Sequence, residues 1–100
     1  MNNLNNINKV EFYENLADVI ADADSVTLML RSTELIVSVK GSTQILINDL
    51  AETLYSTFEE NIMGILSGVG MLTIVSHDYT YLKYIHELIE NAVIYYGISR

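Results

Sequence analysis

Cysteine, proline and tryptophan are all absent from this sequence, and only five residues are Lys or Arg. Without cysteine there is no disulfide, no thiolate metal site and no cysteine nucleophile. Five basic residues stand against thirteen acidic ones, for a formal net charge of −8. Binding phosphate takes clustered Lys and Arg, so direct contact with nucleic acid or an anionic membrane is not expected. No stretch approaches the roughly 18 consecutive apolar residues of a membrane span. The segment from Met1 to Lys9 lacks the basic start and apolar run of a signal peptide. These absences lead us to expect a cytoplasmic protein.

What is present is apolar. Half of the 100 residues are hydrophobic, which argues against disorder and is generous for so short a chain. A chain of this length makes one domain with one modest core, hiding roughly 65% of its unfolded surface. Some apolar surface is then left over for a partner. No internal repeat, linker or composition break divides residues 1–100.

The clearest pattern runs from Ser25 to Lys40. Two alternating stretches flank Ser32 and Thr33 and predict a hairpin over 25–40. In that register Leu30 faces Leu35, Leu28 faces Val37, and Val26 faces Val39. All six share one face, which a one-residue slip would break up. The other face pairs Arg31 with Glu34, Met29 with Ile36, Thr27 with Ser38, and Ser25 with Lys40, a set that suits a cross-strand ladder.

Residues 1–7 read as a tail. Asn8, with Glu11 three residues on, has the pattern of a capping box, so a first helix is expected over about 8–23. Phe12, Tyr13, Leu16, Ile20 and Ala23 fall at helical spacing, and Glu11, Glu14, Asp18 and Asp22 form an acidic ridge on the opposite side. Two readings compete after Gly41 and Ser42. A helix could start near Ser42 and run to about Gly64, using Leu46, Leu50, Leu54, Phe58 and Ile62 as its stripe. Alternatively, 43–47 is a third strand and Asp49, with Glu52, caps a helix over 49–66. The capping signal favours the strand. Its Ile45 and Ile47 would then join Met29 and Ile36 on the hairpin's second face, which is too apolar to be left fully wet. Gly64, Ser67, Gly68 and Gly70 read as punctuation ending that helix. They build no phosphate loop, because no Gly-Lys-Ser/Thr follows. Residues 71–76 are nearly all apolar and predict a central strand. Asp78 caps a last helix over 79–96, with Gly97 just past its end.

Chemistry-bearing residues are few. His77 and Asp78 are adjacent where a strand hands over to a helix, but His86 lies about two and a half helical turns further on. A metal site takes more ligands than these. Asp78 is accounted for as a cap and His77 as the end of a strand. No nucleophile–base pair can be assembled, so no catalytic residue, cofactor or metal is expected, and the chain reads as a non-enzyme. The remaining candidates are surfaces. Tyr79, Tyr81, Tyr84 and Tyr95 on the last helix form a candidate aromatic interface, since tyrosine buries a ring and keeps a polar tip. The acidic ridge is a second candidate.

The expected fold is α+β, with an antiparallel sheet of three or four strands covered on one face by three helices. The expected function is a small acidic protein-binding or regulatory protein, a homodimer through the tyrosine-bearing helix or the hairpin's second face. A small enzyme is a further alternative, which would need a pocket where His77 or His86 meets a carboxylate, and the leading alternative is a phage or mobile-element inhibitor. Its acidic ridge would mimic nucleic acid and block a basic host protein such as a defence nuclease.

Overall fold

The computed structural model describes the backbone of residues 2–98 and the side chains of residues 9–96. The elements are α1 (Asn2–Asp22), β1 (Ser25–Leu30), β2 (Glu34–Lys40), α2 (Gln44–Phe58), β3 (Gly64–Gly68), β4 (Met71–Val75) and α3 (Tyr79–Ile98). The four strands form one antiparallel sheet in the order β1-β2-β4-β3. The α+β class and the helix-covered sheet are as expected.

The hairpin adopts the register that its alternation dictates. Pairing runs from Ser25 with Lys40 to Leu30 with Leu35. Arg31 donates its backbone N–H to the Glu34 carbonyl at 2.8 Å and places its guanidinium 3.4 Å from the Glu34 carboxylate. Leu35, Val37 and Val39 are buried, and Val26, Leu28 and Leu30 pack against the same core. β4 adds Leu72 and Ile74 to that face. The helices cover it with Phe12, Leu16, Val19 and Ile20 from α1, with Ile47, Leu50, Leu54 and Phe58 from α2, and with Leu82, Ile85 and Ile89 from α3. These steps of three and four residues place each set along one stripe of its helix.

The middle of the chain differs from expectation. Residues 43–47 are not a third strand, because Thr43 caps α2. Its backbone is extended and its hydroxyl accepts the Leu46 N–H at 3.4 Å. A long-range contact supports the cap: the Asp22 carboxylate accepts from the Thr43 N–H at 3.0 Å and the Ser42 hydroxyl at 3.1 Å. Ile47 therefore points into the core, while Ile45 is exposed. Asp49 lies inside α2, where its carbonyl accepts from Thr53 and Asn15. The helix stops at Phe58, not near residue 66, and 64–68 form an edge strand. Val69 and Gly70 make a two-residue link between β3 and β4, with Gly70 at φ +67° in the left-handed region that suits glycine in a tight turn.

Both termini of the helical layer also move. α1 starts at Asn2, so residues 2–7 are helical and Asn8 is interior to the helix. α3 continues through Gly97 to Ile98. Its start is as predicted, since the Asp78 carboxylate accepts the Tyr81 N–H at 3.1 Å. Beneath that cap, buried Ser76 donates to the Asn61 carbonyl at 2.7 Å and accepts from the Asp78 N–H at 3.0 Å. This ties the turn after α2 to the start of α3.

Candidate functional site: the open face of the sheet

Side chains alternate across a strand, so each strand that sends Leu35, Val37, Leu72 or Ile74 inward also sends a set outward. The registers arrange the outward set in rows. One row crosses all four strands: Met29 pairs with Ile36, Ile36 with Thr73, and Thr73 with Leu66. On one side of it Thr27, Ser38, Met71 and Gly68 form a second row; on the other lie Glu34, Val75 and Gly64. Leu66 is 67% exposed, Met29 51% and Met71 41%. Val69, at the tip of the β3–β4 link, is 96% exposed. Met29, Ile36, Leu66 and Met71 form a neighbouring apolar set on one surface, unlike the singly scattered apolar residues that any protein surface shows.

The charge distribution sets this face apart. Of the thirteen acidic residues, Glu34 alone lies in a strand, and it is paired with Arg31. Lys40 adds a positive charge at the far end of β2. The other acids lie in the helices and their connections. The molecule is therefore acidic on its helical side and close to neutral on its open sheet.

At its outer edge the face continues around β3. Met63, Gly64 and Ile65 line a shallow recess of about 440 Å³ with Ala51, Glu52 and Tyr55 of α2. At the β3–β4 link, Gln44 donates to the Gly68 carbonyl and accepts from the Gly70 N–H, while Ser67 donates to Asn48. β3 is thus anchored to α2 at one end and open along its outward face.

The surfaces expected from sequence are placed differently. Glu11, Glu14, Asp18 and Asp22 are all exposed along α1, but Asp22 is engaged in holding the start of α2. Glu11 also lines a recess of about 260 Å³ with Asn15 and with Asp49, Glu52, Thr53 and Ser56 of α2. The tyrosines do not form one patch. Tyr81 and Tyr84 meet Phe58 edge-on at ring distances of 5.9 and 6.4 Å, and Phe58 in turn meets Phe12. Tyr79 is half exposed at the start of α3. Tyr95 packs edge-on against Tyr96 at 5.0 Å, eleven residues beyond Tyr84, or about 16 Å along a helix. Burial raises the Tyr13 hydroxyl above the usual tyrosine pKa, with Tyr84 adding to it. Tyr81 is raised in the same way, first by burial and then by Tyr84, Glu60 and Asp78.

His77 is exposed and Asp78 is turned to the helix amides, so the two neighbours are not arranged as an acid–base pair. His86 lies 4.0 Å from Glu90 on the same helix. Among the described residues, no three His, Asp or Glu side chains gather where they could hold a metal ion. No described helix is long and apolar enough to cross a membrane.

Residues 64–68 are what sequence reasoning missed. Ile65 and Leu66 continue the helical spacing of Phe58 and Ile62, which hid a strand bounded by glycines. The signal was Gly70 as the second residue of a two-residue link before an apolar run, the place where a turn takes a glycine of positive φ. No protein-family model, no curated protein and no solved structure matches this chain.

Proposed function

We propose that this chain is a non-enzymatic protein-binding protein, regulatory in role, that pairs with a second copy through the open face of its sheet. One observation carries the reading: the row Met29, Ile36, Thr73 and Leu66, with Met71 beside it, lies uncovered on the surface poorest in acidic charge. Burying that row removes apolar area from water, at about 25 cal/mol per Å². Copies carrying −8 each repel, and meeting sheet to sheet keeps the acidic helices on the outside. Light scattering coupled to size exclusion tests this from low to high micromolar concentration. The expected mass rises to twice 11.3 kDa, and Leu66→Lys returns it to the monomer. A wild-type monomer throughout the range overturns the reading.

A second reading, a nucleic-acid mimic that blocks a basic protein, is favoured by one feature. Glu11 from α1 and Asp49 and Glu52 from α2 line the same recess, adding a second helix to the acidic ridge. Binding of this kind weakens steeply with salt. Affinity for a basic partner that is unchanged by salt, or that survives reversal of Glu11, Glu14 and Asp18, contradicts it.

A further inference from the structure

The glycines of this chain divide into two kinds. Gly41 and Gly70 are required by the fold. Both have positive φ, and a Cβ on Gly41 would lie 2.7 Å from the Asp24 carboxylate, while one on Gly70 would lie 2.9 Å from the Val39 carbonyl. Gly64 and Gly68 meet no such requirement. Neither has a positive φ, and a Cβ on either would meet nothing within 4 Å. The β3–β4 ladder runs from Gly64 to Gly68 without an inserted residue. They are the two end residues of β3, and they leave its outward side without a side chain on either side of Leu66.

Both glycines point the same way as Leu66, because residues i, i+2 and i+4 of a strand share a face. The outward side of β3 is therefore a single exposed knob between two gaps. Beside these stand Val75, Thr73 and Met71 of β4. Knob and gap side by side on one strand make a surface complementary to itself under a two-fold axis, which is what an isologous contact between identical chains requires.

We infer that the second copy docks over β3, with Leu66 of each copy seated in a glycine gap of the other. This rests on the self-association proposed above and fixes where the two sheets come closest. Area supports such a dependence on fit. Strands about 4.8 Å apart and five residues long give a four-stranded face on the order of 300 Å² in projection. A standard interface takes about 800 Å² per partner. An interface of this extent is a weak one, held by close approach over a limited area, and a single added side chain where the two sheets come closest disrupts it. Charge agrees, because β3 and β4 carry no ionisable residue.

The experiment is sedimentation equilibrium of the wild type, Gly64→Thr, Gly68→Thr and Leu66→Lys. Thermal unfolding is recorded at concentrations where the chains are monomeric. Threonine favours a strand and has open space at both positions, so neither glycine variant should unfold earlier than the wild type. The expected result is a dimer at least tenfold weaker in one or both glycine variants, with the folded monomer intact. If Thr lowers the melting temperature, Gly64→Ala and Gly68→Ala repeat the comparison with one methyl group. Dimerisation as tight as wild type in both glycine variants, with loss in Leu66→Lys, overturns the docking over β3 and leaves self-association standing. A wild type that never dimerises overturns both.

Discussion

The two faces of the sheet are built from the same strands and nearly the same residue types, yet they end in opposite environments. Leu35, Val37, Leu72 and Ile74 are at most 1% exposed under the helices. Their outward neighbours include Met29, Ile36, Leu66, Met71 and Val75, which no helix covers. In a sheet with one wet face, outward positions are ordinarily polar. Here Thr27, Ser38 and Thr73 follow that rule and the apolar five do not. The helical side thus holds the fold together, while the open side carries apolar character that the fold does not use.

The largest expected effect comes from the covered face. Leu72→Ala removes a fully buried side chain at the centre of the core and should cost 2–5 kcal/mol of unfolding free energy, about the usual range for such truncations. Chemical denaturation of the monomer measures it. The same truncation on the open face, Leu66→Ala, should change monomer stability by no more than about 0.5 kcal/mol. Equal costs at the two positions would erase the distinction between the faces.

An intermediate effect is expected where the helical layer is attached. Asp78→Ala removes the cap of α3 and Thr43→Ala that of α2, each costing about 1 kcal/mol. Asp22→Ala should match the Thr43 change, since one carboxylate holds both Ser42 and Thr43. Dimerisation should be unaffected by any of the three, because the caps lie on the covered side.

Those caps also explain how much of the molecule could be read from its sequence. The hairpin register follows from alternation and charge placement within sixteen consecutive residues, and Asp78 is recognisable as a cap from its neighbours alone. The start of α2 is not, because what favours Thr43 over Asp49 includes the carboxylate of Asp22, twenty-one residues earlier. β3 was hidden for a related reason: Ile62, Ile65 and Leu66 fit a helical stripe as well as a strand until the turn at Glu59 and Glu60 is known. The candidate surface was legible in part. Met29 and Ile36 stood out on the hairpin's second face, but Leu66 and Met71 could join them only once β3 existed. Ile45 and Ile47, expected there, belong to α2.

The smallest effect is in pH dependence. The Tyr13 and Tyr81 hydroxyls are raised in the folded chain, mainly by burial, so folding favours their neutral form. Their contribution is fully present below the unfolded tyrosine pKa of about 10 and is lost as pH rises through the raised folded values. Stability should therefore fall more steeply above pH of about 10 than in Tyr81→Phe. An identical alkaline slope in that variant would remove Tyr81 from the account.

The uncovered face can be observed directly by methyl NMR on a dilution series of the full chain, with Ile, Leu, Val and Met methyl groups labelled. Concentration-dependent shifts are expected at Met29, Ile36, Leu66 and Met71, with Val10 of α1 and Ile94 of α3 unmoved although both are exposed. Shifts that appear on the helices instead, or spectra that are the same at every concentration, would contradict the claim that the open sheet is where this protein binds.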